Sequence, residues 1–324
     1  MSLLRKLPID GFLAAMLSAV LLALAYPQLG ASHGPLHLGW VTNLGVAAVF
    51  FLHGAALSRQ SLRAGFGHWR LHLFVQLSTY VLFPLLGMLI VFAARGHFAD
   101  TLLTGLFYLC ALPSTISSSV AMTSLARGNV PAAVFNASLS SLVGMLATPL
   151  LVGMMATTHG EHLPLLQSIR DIALQLLLPF ALGQWLRPWI GAFIQRHKAR
   201  INLIDRGVIV LIVYSSFCDS TLAGLWSRYS GWMLLETFVL VAALLALALA
   251  ATTWLSRRIG FAVDDEITAV FCGSKKSLAS GVPMAKLLFG SHPGLGLIVL
   301  PIMFYHQLQL VVCSILARRY ASRT

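Results

Sequence analysis

Apolar windows of about 20 residues, the length that crosses a bilayer, follow one another along this chain with short basic stretches between them. Five fall in the first half, at 11–29, 38–57, 71–93, 102–125 and 132–155, and five in the second, at 169–186, 207–225, 232–255, 267–289 and 294–317. Only 10% of the 324 residues are charged, against about 25% in soluble domains, and the mean hydropathy is +0.82. In hydrocarbon each segment must satisfy its own backbone, so windows of this length predict helices. The expectation is an all-α polytopic membrane protein with ten transmembrane helices. The first window follows a basic start, as in a signal peptide, but its length and its company make it the first span.

The charges orient the spans. Sixteen lysines and arginines fall in the loops on the N-terminal side, among them Arg5, Lys6, Arg59, Arg63, Arg70, Arg127, Arg257, Arg258, Arg318 and Arg319. The opposite loops hold three, Arg95, Arg170 and Arg228. This bias puts both termini in the cytoplasm. The net charge of +12 is loop charge and shows no stripe suited to nucleic acid. Cys110, Cys218, Cys272 and Cys313 lie inside apolar spans without CxxC spacing, which argues against a disulfide framework or a zinc site.

The halves match weakly at a spacing of 162 residues, pairing Gly45 with Gly207, Cys110 with Cys272, Gly128 with Gly290 and Pro131 with Pro293. Five spans per half, an odd number, insert the two copies in opposite orientations. The expected units are therefore residues 1–158 and 159–324, two inverted five-helix repeats with a site at their interface.

Lys275 and Lys276 stand in the middle of the ninth window. An ammonium at bilayer depth costs roughly several kcal/mol, so it faces a cavity or a partner and marks a functional path. Gly273, Ser274, Gly281 and Pro283 around it are poor helix formers and predict a broken helix. In the fourth window Pro113 is followed by Ser114, Thr115, Ser117, Ser118, Ser119 and Thr123. Such a hydroxyl cluster offers cation ligands at a second break, or simply lets helices pack closely. Asp219 is read as a substrate or proton group or as a helix-end carboxylate. His53 and His306 suit proton coupling or interhelical hydrogen bonds. Of Gln307 and Gln309, one lines a cavity and the other joins helices. Glu236 belongs at the interface, and Asp264, Asp265 and Glu266 read as a solvated helix start.

The segment LPSTISSSVAMTSLARGNVPAAVFNASLSSL (112–142), with GSKKSLASG (273–281) and GVAAVFFLHGAALS (45–58), resembles the bile acid:sodium symporter family, in the branch of the seventh member of solute carrier family 10 and its bacterial relatives. The resemblance implies a panel domain and a core domain, with helices 4 and 9 unwound where they cross and cations bound beside the crossing. In sodium-coupled members the ninth helix carries an acidic residue, then a glutamine and an asparagine. Here Phe271 takes the acidic place and Lys275 and Lys276 the amide places. The fourth-helix ligand maps onto Ser119 or Ser118. The fifth-helix ligands map onto Ala133 and Ala137, with Asn136 and Ser138 alongside, and a third-helix ligand onto Gln76 or Thr79. The expected cation-binding or cation-mimicking set is therefore Ser118, Ser119, Asn136, Ser274 and Lys275. The expected substrate or cavity set is Thr115, Lys276, Ser277, Asp219 and Gln307. Consecutive residues on an intact helix point about 100° apart, so one lysine, Lys275, is expected at the crossing and Lys276 towards the cavity. A structural clamp and proton exchange are the other roles open to these amines.

The function implied is a secondary transporter, symporter-like, moving a small or amphipathic organic anion across a bacterial inner membrane. Sodium, a proton or neither is the coupling ion, and no other cofactor or metal is expected. The oligomeric state is open, a monomer being sufficient. The alternative is a regulator or sensor of ion or calcium homeostasis built on a transporter fold. Selectivity-filter repeats, HExxH, GxSxG and Walker motifs are absent from the sequence, which disfavours a channel, an enzyme and an ATP-driven pump.

Overall fold

The computed structural model of the chain describes residues 11–56, 67–158, 170, 173–225, 231–290 and 292–323. Every named element among them is helical. In chain order these are α1 (Gly11–Ala25), α2 (Leu38–Ala56), α3 (Trp69–Ala94), α4 (Asp100–Ala111), α5 (Ser117–Leu125), α6 (Val130–Thr158), α7 (Leu178–Arg196), α8 (Lys198–Leu222), α9 (Gly231–Ile259), α10 (Val263–Gly273), α11 (Leu278–Phe289) and α12 (Leu295–Ala321). A helical turn, Pro27–Gly30, follows α1, and a π-turn, Ala173–Leu177, leads into α7.

Six helices among the described residues are long and apolar enough to cross a membrane by themselves: Leu38–Ala56, Trp69–Ala94, Val130–Met155, Ala199–Leu222, Gly231–Ile259 and Leu295–Ala321. The chain is a multi-pass membrane protein. The gap between these six and the ten expected windows has a physical origin. The 102–125 window is split into α4 and α5, and the 267–289 window into α10 and α11, so no piece reaches span length. Helix α1 has only 15 residues. The boundary between the expected halves, part of the sixth window, and Arg5, Lys6, Arg59, Arg63 and Arg228 lie outside the described residues. Large apolar side chains such as Leu21, Leu44, Leu89, Phe92 and Leu203 are exposed, as a lipid-facing surface requires.

Packing sorts the helices into two groups. Helix α7 packs along α2, and α8 packs on α1, α2 and the 27–30 turn. Helices α3–α6 and α9–α12 pack among themselves. The extensive contacts between the groups are those of α8 with α11 and α12. Within the first group the backbones nearly touch. A Cβ on Gly54 would lie 2.1 Å from the Phe180 carbonyl oxygen, and one on Gly183 would lie 2.1 Å from that of Phe51. Small residues permit such approach in a bilayer, where helix association relies on close packing. Gly183→Ala is expected to push α7 off α2 at a cost of about 1–3 kcal/mol, read as a lower thermal midpoint in detergent, with the second group's site unchanged.

Candidate functional site

The two helix interruptions, 112–116 and 274–277, face each other and are joined by hydrogen bonds. Proline starts the first. Pro113 has no N–H, and it holds Leu112 extended, at φ −71° and ψ 153°. The carbonyls at the end of α4 then need other donors. Ala111 O receives the Thr148 hydroxyl at 2.8 Å. The Ser114 N–H turns to Ser140 Oγ at 2.9 Å, and Ser140 is fastened through its carbonyl by the Tyr80 hydroxyl. The carbonyls of Cys110 and Leu112 are left facing the crossing.

A third free carbonyl comes from α3. Residues Ser78–Leu82 form a π-turn in which the Phe83 N–H bonds Ser78 O. The next residue, Pro84, has no N–H to give, so Thr79 O lacks its helical donor.

One amine meets all three. Lys276 Nζ donates to Cys110 O at 2.7 Å, Leu112 O at 2.7 Å and Thr79 O at 3.0 Å. It also lies 4.2 Å from the centre of the Phe83 ring, a cation–π contact. An ammonium has three N–H donors, and here all three are engaged. Lys275 Nζ donates to Ser118 O at 2.8 Å and sits 5.5 Å from the Phe271 ring centre. Both lysines are 0% exposed.

The expectation that only one lysine reaches the crossing therefore does not hold. Residues 274–277 are not helical, so the angular spacing of an intact helix does not apply to them. The helix also resumes earlier than the composition suggested. Ser277 caps α11 by accepting the Ser280 N–H at 3.1 Å, which leaves Gly281 and Pro283 inside the helix. Gly281 serves packing instead: a Cβ there would lie 2.6 Å from Leu112 Cδ1. Tyr108 donates its hydroxyl to the Gly281 carbonyl at 2.6 Å.

The second interruption is satisfied by side chains in the same way. Ser277 N donates to Pro113 O at 2.9 Å. Ser114 Oγ donates to Cys272 O at 2.7 Å and Ser119 Oγ to Phe271 O at 3.1 Å. From α12, Tyr305 donates to Ser274 O at 2.6 Å. Gln309 grips the Lys276 backbone from both sides, accepting its N–H at 2.9 Å and donating to its carbonyl at 2.9 Å.

Of the expected site residues, the crossing thus gathers Lys275, Lys276, Ser119, Ser274, Ser277 and the carbonyl of Ser118. Ser274 also bonds back to Val270 O at 2.6 Å. Thr115 stands beside Ser118, accepting its hydroxyl at 3.4 Å. Asn136 lies on α6, donating to Ala132 O at 3.0 Å, while Gln76 Nε2 donates to Asn136 O at 3.3 Å. Gln307 is half-buried on α12, and Gln309 makes the contact with the lysine segment. Asp219 goes elsewhere: at the end of α8 it accepts Ser32 N at 2.9 Å and Ser32 Oγ at 2.6 Å. His53 pairs with Asp205 at 3.6 Å and Glu236 with His97 at 3.2 Å. Glu266 is a correction, since it is only 7% exposed rather than solvated. It accepts from Arg257 at 3.0 Å and Tyr320 at 2.9 Å, tying α10 to α9 and α12. Sequence reasoning missed Tyr305 and Ser140, whose hydroxyls serve freed backbone, and Tyr108, whose hydroxyl ties α4 to α11.

Comparison with known proteins gives the family. The model of the SBF-like CPA transporter family matches residues 10–322. The chain belongs to that family. Its members' resemblance extends over nearly the whole length. The chain is 51% identical over 323 residues to the uncharacterized protein PA2026 of Pseudomonas aeruginosa, covering 100% of this chain and 96% of that one. It is 45% identical to the putative symporter YfeH of Escherichia coli, covering 98% and 94%. It is 29% identical to sodium/bile acid cotransporter 7 of Rattus norvegicus, covering 98% and 94%. The family is one of transporters.

Proposed function

We propose that the chain is a secondary transporter that carries a small or amphipathic organic anion by alternating access, with the Lys276 ammonium in the place of a coupling sodium ion. The observation carrying this reading is the cage of three freed carbonyls closed around one amine at 2.7–3.0 Å. Carbonyls released by broken helices are the usual ligands of transported or coupling cations. Here a covalently attached cation occupies them permanently. Phe271, in the acidic place of sodium-coupled relatives, is 0% exposed and stacks edge-on with Tyr320. The residues present do not fit a sodium ion at this point. We accordingly assign Lys276, not Lys275, as the cation mimic, which leaves Lys275, with its bond to Ser118 O, as the amine nearer to an anionic substrate.

Two observations support two inverted five-span repeats, each contributing spans to the two helix groups that move against each other. The first packing group takes α1, α2, α7 and α8, the opening spans of each half, and the second takes the remainder. The 162-residue register pairs Cys110 with Cys272 and Ser114 with Lys276. Ser114 bonds the Cys272 carbonyl while Lys276 bonds that of Cys110, a reciprocal exchange across the crossing. The substrate class rests on the names of the relatives, a putative symporter and a sodium/bile acid cotransporter.

The test is ion replacement. Organic-anion uptake into proteoliposomes is expected to persist when sodium is exchanged for choline, and the thermal midpoint of the purified protein is expected to stay the same in the two salts. Uptake that collapses in choline, or a midpoint that rises with sodium, overturns the lysine-for-sodium reading.

A further inference from the structure

Asp219, an expected site residue that lies away from the crossing, belongs to a second polar cluster. Lys286, on α11 in the second packing group, is 8% exposed and donates to Ser32 Oγ at 3.1 Å. Ser32, after the 27–30 turn in the first group, donates the same hydroxyl to Asp219 Oδ2 at 2.6 Å. Its backbone N–H meets Asp219 Oδ1 at 2.9 Å, and Ser215 Oγ lies 3.3 Å from its hydroxyl. The result is a relay from an ammonium through a hydroxyl to a carboxylate, with the ammonium on one group and the other two residues on the other.

Its place in the fold matters. Hydrogen bonds between the two groups cluster at this same end of α8. The residue after Asp219, Ser220, donates its Oγ to Pro293 O at 2.9 Å and accepts the Gly296 N–H at 3.1 Å. This is where α8 ends and α12 begins, the membrane face remote from the end of α12. Separating the groups here strips a buried ammonium of its hydroxyl and of the carboxylate behind it, which is costly in a low-dielectric setting.

We infer that Lys286, Ser32 and Asp219 form a latch that holds the two helix groups closed at this face, and that opening the path to this side requires the relay to break. The inference rests on the alternating-access reading above, and it adds the contact that controls which face is open. It gives Asp219 and Lys286 a role in gating, away from the substrate.

The experiment reads closure and transport separately. Val282, 0% exposed and one turn before Lys286 on α11, is replaced by cysteine, and its reaction with a maleimide is followed in folded, monodisperse protein against the parent with its four buried cysteines. Ser32→Ala and Asp219→Asn are each expected to speed labelling about tenfold, the factor by which losing a hydrogen bond to a charged group shifts a two-state equilibrium. Lys286→Arg, which keeps the charge and a donor, is expected to stay near the parent rate. Asp205→Asn, elsewhere on α8, serves as a control and is expected to leave the rate unchanged. Parent-like labelling in both Ser32→Ala and Asp219→Asn overturns the latch, as does an equal rise in Asp205→Asn. Organic-anion uptake is measured on the same samples. Faster labelling without uptake in any sample upholds the latch and removes the transport reading, whereas unchanged labelling with intact uptake removes the latch alone.

Discussion

Lys276→Met is expected to lower the stability of the folded protein by about 3–5 kcal/mol, the range found when one partner of a buried charged set is removed, and to abolish uptake. Methionine nearly keeps the volume of the side chain, so the loss does not come from a cavity. It comes from the carbonyls of Cys110, Leu112 and Thr79, which lose their donor together. Each unpaired buried acceptor costs roughly 1–3 kcal/mol, and the relief from no longer burying an ammonium offsets part of that sum. Denaturation in detergent, followed by tryptophan fluorescence, measures the change. Lys276→Ala carries the same logic further, because it removes the amine and leaves room among the three oxygens. Its thermal midpoint is expected to rise with sodium relative to choline, a response the parent lacks. A variant as stable as the parent, or one indifferent to every small cation, shows that the cage is not a cation site in disguise.

That cage was only half legible in the sequence. Two lysines in an apolar window mark a site on energetic grounds alone, and Pro113 with its serines marks the opposing break. Those inferences need nothing beyond the cost of burying charge and the chemistry of proline. Which lysine does what was hidden, because the argument from helical angles presumes a helix, and residues 274–277 have none. The third carbonyl was hidden more deeply. Thr79 O is free because a π-turn shifts the Phe83 N–H onto Ser78 and because Pro84 follows. A lone proline near the middle of an apolar window does not announce that shift. Tyr108 and Tyr305 read as apolar bulk in the sequence, yet their hydroxyls hold Gly281 and Ser274. Hydropathy marks ten windows but not where a helix breaks inside one, so α4, α5, α10 and α11, which build the site, fall short of span length, as does α1. Asp219 and Lys286 lie 67 residues apart in the chain, and their approach through Ser32 follows from the packing of α8 on α11, which no local pattern encodes.

Gln309→Leu is expected to be nearly as damaging as loss of the amine itself. Leucine matches the hydrophobic surroundings of α12, and a glutamine in an apolar span is ordinarily the more costly choice. Here the amide is 0% exposed and answers both backbone groups of one residue, accepting the Lys276 N–H and donating to the Lys276 carbonyl. The interrupted segment has no helical partners for these groups, and the bilayer core supplies no water to replace them. Two buried backbone groups left unpaired cost about 2–6 kcal/mol together. The more telling consequence is positional. With its backbone no longer pinned, the Lys276 side chain loses the fixed origin from which it spans three carbonyls on α3 and α4, so uptake is expected to fall even in molecules that remain folded. Gln309→Glu separates the two effects. A carboxylate still accepts the Lys276 N–H and has no hydrogen for the carbonyl, so stability is expected to recover in part. Uptake that matches the parent in folded Gln309→Leu shows that the lysine holds its position without the clamp, and that the crossing is organised by the carbonyl cage alone.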